Sequence, residues 1–292
     1  MRFIILLMVT PLLASPALAS SRLESVAKVA TCSDAGKNTC EATPALKKVF
    51  TLLGQEAPKS FADTIDAAQK TWQRPEGTER WQIKERFTDK RDALLLLMKE
   101  LGFTDAIHAR EKHYEYAAIH GATLRTIESR IKWLVKEWKR GVRFDAVIIL
   151  SGERKLDKAL ELSEINKRWR CPEVMPENET QMIQWLWNET ELPKEMRRLP
   201  FTLVNAKASN WRAHTGDTVN AWLASAPKAG SILAVSNQPY VSYQDMSLRN
   251  RLPSSFTLET VGERAGDDIM NSVYLDNIAA LLLQLRKWQE PS

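Results

Sequence analysis

Apolar positions recur along this chain with a helical rhythm at first, and the rhythm changes near residue 111. In TPALKKVFTLLGQ, Leu46, Val49, Phe50 and Leu53 stand at helical spacing, with Pro44 near the start and Gly54 at the end. SFADTIDAAQKTWQ repeats the pattern with Phe61, Ile65, Ala68 and Trp72. After the break RPEGTER, a charged helix runs through DKRDALLLLMKELGF and closes at Gly102. The spacing predicts a helical portion over residues 20–110.

Beyond residue 111, short apolar runs alternate with amphipathic ones. YEYAAIH, FDAVIIL, FTLVNA, SILAVS and FTLETVG read as strands. Between them, TLRTIESRIKWLVKEWKRG places Ile127, Ile131, Leu134, Val135 and Trp138 on one helical face and ends at Gly141. Further helices are predicted from about Leu156 to Trp169, over ETQMIQWLW, GDTVNAWLAS and YQDMSLRNRL, and at the end over NSVYLDNIAALLLQLRKW. Strands alternating with helices imply βαβ units and a parallel sheet, covered on both faces because the strands are almost wholly apolar. The expected class is therefore α/β: a Rossmann-like parallel sheet flanked by helices over 111–292, with an all-helical N-terminal portion.

In such a sheet ligands bind beyond the carboxyl ends of the strands. His120-Gly121-Ala122-Thr123 follows the first strand and Ser151-Gly152-Glu153-Arg154 the second. Asn205 ends the third, ahead of Thr215-Gly216-Asp217-Thr218, and Ser236-Asn237-Gln238 ends the fourth. Helices starting at these junctions aim free N–H groups and positive dipole ends at a ligand, which favours phosphate or carboxylate groups. Gly121 and Gly152 permit close backbone approach. Arg154 and Arg130 are candidates to hold a charged group. Glu153 and Glu179 are candidate acids or bases, and His120 a candidate titrating near neutral pH. Simpler readings stand beside these. Thr123, Asp217 and Thr218 also fit helix caps, Glu153 and Arg154 fit a surface ion pair, and Glu179 suits a helix start without any chemistry. The phosphate loop ending in Gly-Lys-Ser/Thr and the three-glycine dinucleotide fingerprint are both missing. A hydrolase using Ser151 or Ser236 as nucleophile is a weaker reading, because no Gly-x-Ser-x-Gly elbow surrounds either.

Composition narrows the partners. The chain has 292 residues and a formal net charge of +5, with no dense Lys/Arg block, so nucleic acid is not an expected partner. MRFIILLMVTPLLASPALAS joins Arg2, an apolar core and Ala17-Leu18-Ala19, the parts of a signal peptide over 1–19. That core is shorter than the span of about 20 residues a membrane helix needs, and no later run is longer. A periplasmic or secreted product is expected. Cys32 and Cys40 bracket a polar, turn-rich loop, which in an oxidising compartment invites a disulfide. Cys171 is left over as a free thiol, and the cysteine spacing does not suit zinc, so no metal site is expected.

The strand-end motifs, in this order, resemble the bacterial YdcF/SanA/ElyC-like family, a Rossmann-like domain of unknown function, over about residues 111–290. IHGAT stands at the family's first glycine site and Arg130 at its helix arginine. ILSGER stands at its Ser-Gly-Gly site, with Glu153 in place of the last glycine. ETQM supplies the helix-opening Glu179. The segment 215–220 resembles its Thr-x-x-Asn element, with Asn220 displaced. AVSNQPYVSYQ resembles the last signature, but Tyr240 stands near the usual His and Gln244 near the usual Arg. The resemblance implies an envelope-linked role and a pocket for a small anionic or nucleotide-like ligand, S-adenosylmethionine being one suggestion. The competing expectation is a non-enzymatic envelope or host-interaction protein. There the α/β part is scaffold, and the N-terminal helices carry contacts to a protein partner.

Overall fold

The structure, a computed structural model, describes residues 25–33, 39–168, 172–207 and 212–290. The candidate leader 1–19 and Cys171 lie outside them. Five parallel strands form the centre: β3 (His113–His120), β4 (Arg143–Gly152), β5 (Phe201–Ala206), β6 (Ser231–Asn237) and β7 (Thr257–Glu263). Their order across the sheet is β5-β4-β3-β6-β7. The chain therefore runs outward from β3 to one edge, returns, and runs outward again from β6. The turning point lies between β3 and β6, where an open α/β sheet leaves a crevice.

Successive strand residues face opposite layers, and both layers are apolar. Ala117, Ile119, Val147, Ile149, Leu233 and Val235 pack beneath α4 (Leu124–Lys139) and α6 (Glu179–Glu189). Ala118, Ile148, Leu150, Ile232 and Ala234 pack on the other side against Val219 and Trp222 of α8 (Thr215–Leu223) and Leu248 of α9 (Val241–Arg249). Burial on both faces explains why these strands read as unbroken apolar runs.

The N-terminal portion contains the three expected helices, α1 (Pro44–Leu52), α2 (Phe61–Thr71) and α3 (Arg91–Glu100). It adds to them an antiparallel hairpin, β1 (Ala30–Ser33) with β2 (Thr39–Ala42), in which Cys32 and Cys40 face each other and form a disulfide. Leu46, Phe50, Ile65, Leu94 and Met98 share one core with Leu275, Ile278, Leu281, Leu282 and Leu285 of the last helix, α10 (Asn271–Gln289). The N-terminal helices thus pack beside the sheet on α10.

The helix expected over about 156–169 is shorter and differently wound. A π-type turn at Lys158–Leu162 leads into α5 (Ser163–Asn166), with residues 169–171 outside the described chain. The reason is Glu161. Its side chain is fully buried and accepts from Asp157 N–H (2.8 Å) and from Arg154, and Asp157 in turn caps Ala159 and Leu160. The wide turn carries Glu161 inward to Arg154, where a regular helix would be set by apolar spacing instead. The short helix α7 (Lys194–Arg197) precedes β5.

Candidate ligand-binding site

A cavity of about 570 Å³ opens at the carboxyl ends of β3 and β4 and reaches the start of α9 after β6. This is the crevice the strand order implies, and its size suits a small organic ligand. Of the residues singled out from the sequence, it brings together His120, Gly121, Thr123, Arg130, Gly152, Arg154, Glu179, Thr215 and Thr218.

Arg130 lies at the floor. Although α4 carries it, its residue is buried, because its fork turns back under the end of β3. Nη1 donates to the carbonyls of His120 (2.7 Å) and Gly121 (3.1 Å), and Nε donates to Asn237 Oδ1 (2.9 Å). No carboxylate among the described residues pairs with it. Burial lowers its pKa to about 10; nearby Tyr240 raises it, the Arg80 charge lowers it further, and the Glu179 carboxylate, though not hydrogen-bonded to it, raises it. Beside it His120 is buried, and its Nε2 has no hydrogen-bond partner among the described residues. Burial, then the Arg130 charge, pushes His120 down to about 3. It is a neutral imidazole at neutral pH, so the expectation that it titrates there is corrected.

The N-terminus of α4 faces the same space. Its N-cap Thr123 is extended and makes no side-chain cap; its hydroxyl meets Thr126 Oγ1 instead (3.2 Å). The first N–H groups of α4 therefore receive no side-chain cap from Thr123, at the positive end of the helix. Thr123 is thus not the side-chain cap it could have been. At α8 the cap is shared between His214 and Asp217, whose carboxylate accepts from His214 N–H (2.8 Å). Thr218 donates to the Thr215 carbonyl (2.9 Å).

On the opposite wall stands Arg154. It pairs with Glu161 through two nitrogens (2.7 and 2.8 Å) and with Glu179 through Nε (2.8 Å). The surface pair of Glu153 with Arg154 is therefore corrected. Glu153 is exposed and accepts from Asn205 (3.0 Å), while Arg154 points inward. Arg154 is raised, since its carboxylates outweigh its burial. Burial raises the Glu179 carboxyl even against the Arg154 charge. Gly121 makes this placement possible: a Cβ there would overlap Glu179 Oε1 and stand 2.9 Å from the Leu150 carbonyl. Gly152 is equally constrained, with Ala213 Cβ 2.5 Å from where its own Cβ would be.

Several candidates face elsewhere. Ser151 is fully buried and donates to the Val204 carbonyl (2.7 Å), with Thr180 Oγ1 at 2.9 Å. Ser236 is fully buried and donates to Gln244 Oε1. Neither residue is among those that line the cavity. Asn205 joins Thr180 (2.7 Å) and Glu153. Gln238 donates to the carbonyls of Gly102 and Asp105, fastening the end of β6 to the N-terminal portion. Asn237 acts on the site by holding Arg130.

The sequence reading also missed part of the wall. Glu79 and Arg80, at the end of the break RPEGTER, and Trp81 just after it line the cavity. Glu79 pairs with Arg212 (2.6 Å), another lining residue. The adjacent Glu-Arg-Trp in a break is a usable signal, since a tryptophan and two charges are unusual content for a bare connection. Among the described residues no group of three or more His, Cys, Asp or Glu side chains could hold a metal ion. Nor, among them, is any helix long and apolar enough to cross a membrane. The chain matches no family model, no curated protein and no solved structure.

Proposed function

We propose that this chain is an exported protein that binds a small anionic or nucleotide-like ligand at the strand-end cavity, in an envelope-linked role of the YdcF-like kind. The observation that carries the reading is Arg130. A guanidinium is buried beneath an open cavity with no carboxylate partner among the described residues. Burying such a charge is costly unless something anionic completes its surroundings. The uncapped start of α4 beside it supplies N–H donors for the same group. Glu179 is the side chain placed to give or take a proton there, being buried, raised in pKa and held by Arg154. Export is supported by the leader-like residues 1–19 and by the Cys32–Cys40 disulfide.

The test is a thermal-melting screen against nucleotides, S-adenosylmethionine, phosphosugars and cell-wall precursors. The wild type and Arg130→Met are compared side by side. A ligand that raises the wild-type Tm and leaves the variant unmoved supports the reading. Equal shifts in both proteins overturn it.

A further inference from the structure

Two arginines in the cavity are braced alike, and they come from distant parts of the chain. Arg130 is fixed through Nε by Asn237 and through Nη1 by two carbonyls; its Nη2 makes no hydrogen bond among the described residues. Arg80 stands in the turn Arg80–Gln82, and its guanidinium carbon lies 4.5 Å from the Tyr240 ring centre and 5.3 Å from that of Tyr243. Its Nε is 3.5 Å from Asp276 Oδ2. That carboxylate is held more tightly by Arg74, whose Nη1 reaches the same oxygen at 2.5 Å and whose backbone N–H reaches the other at 3.0 Å. Neither Nη of Arg80 has a hydrogen-bond partner among the described residues. In both arginines the inner part of the fork is fixed and outer donors remain, and both residues line the cavity. Arg154 shows the contrast, with its fork occupied by Glu161 and Glu179.

We propose that Arg80 and Arg130 together clamp the terminal phosphoryl group of a phosphomonoester; the inference rests on the anion-binding reading above. A carboxylate has two oxygens and is satisfied by one guanidinium fork. A terminal phosphoryl group has three, and can meet the two Nη groups of Arg80, the remaining Nη2 of Arg130 and the N–H groups of α4 at once. The cavity of about 570 Å³ is larger than a free phosphate needs, and Trp81, Leu160 and Met270 offer its organic part an apolar wall. Because Arg80 belongs to the N-terminal portion, that portion is part of the site and closes over the sheet edge. The ligand links it to the α/β part.

Titration calorimetry on the full chain tests this, with adenosine monophosphate, methyl phosphate, inorganic phosphate and acetate as probes. The wild type binds the two esters at least about tenfold more tightly than acetate, the scale of charge-assisted hydrogen bonds. Arg80→Gln weakens the esters by about tenfold and leaves acetate within about twofold. Arg80→Lys keeps the charge over the tyrosines but loses the fork; it weakens the esters by a smaller factor and carries the test if the Gln variant does not fold. Ester affinities unchanged in both Arg80 variants, while Arg130→Gln loses binding, overturn the clamp and leave the anion site standing. Inorganic phosphate binding more tightly than either ester overturns the assignment to an ester. If the wild type binds none of the four, the anion site and the clamp fall together.

Discussion

Arg130 and Arg154 are both inward-facing arginines on the wall of one cavity, yet their surroundings are opposite. Arg154 is held by two carboxylates, one of them fully buried. Arg130 is held only by carbonyls and one amide oxygen. A buried charge with its full complement of partners is part of the architecture, and it fixes Glu179 in place. Arg130 is buried without a carboxylate hydrogen-bonded to it among the described residues, and the proposed ligand would supply that contact. Sequence spacing makes the two look equivalent; their partners separate them.

The largest effect should come from breaking the completed side. Arg154→Met leaves Glu161 and Glu179 close together and uncompensated, and should destabilise the fold by about 3–5 kcal/mol in chemical denaturation. A loss comparable to that of a surface substitution would show that the network is not structural. Next comes Gly121→Ala, whose methyl group meets both Glu179 and the Leu150 carbonyl. We expect about 1–3 kcal/mol of destabilisation, relieved in part by Glu179→Ala, since one of the two clashes then disappears. Additive losses in the double variant would place the strain elsewhere.

The incomplete side should respond differently. Arg130→Met removes a charge that no carboxylate is hydrogen-bonded to but leaves carbonyls without their donor, so its stability cost should stay near about 1–2 kcal/mol. Ligand affinity should nonetheless fall at least about tenfold. Its neighbour gives a smaller signal. His120 is held neutral to about pH 3 in the fold, against 6.5 when free. Between these values the unfolded chain binds the extra proton, so stability is present above pH 6.5 and is lost as pH falls toward 3. His120→Gln should flatten the stability-against-pH curve across that window, by up to about 1.4 kcal/mol per pH unit. Unchanged slopes would mean that the imidazole charges inside the fold. At the rim, the pair of exposed Arg125 with half-buried Glu164 (2.7 Å) should matter least, and Arg125→Ala should leave the melting temperature unmoved.

Much of this was legible in the chain because it is local. FDAVIIL is apolar throughout since β4 is covered on both faces, and the small residues after it mark the sheet edge. His120, Gly121, Arg130 and Glu179 could be placed near one another from strand ends and helix starts alone. What was not legible depends on partners far apart in sequence. Glu161 departs from a regular helix because Arg154 draws it inward, and no apolar period records that. Arg80 reaches the cavity through Asp276, nearly two hundred residues away, so its stretch reads as a mere break. Ser151 and Ser236 look like strand-end hydroxyls, but the pleat turns both into the sheet layers. Glu153 directly follows β4, yet it points outward to Asn205.

The central claim is that the cavity is an anion site organised by Arg130. The most direct measurement is a calorimetric titration of pyrophosphate into the wild type, Arg130→Met and Arg125→Ala at equal ionic strength. The account predicts saturable binding to the wild type and to Arg125→Ala, and at least about tenfold weaker binding to Arg130→Met. Equal affinities in all three proteins would contradict it.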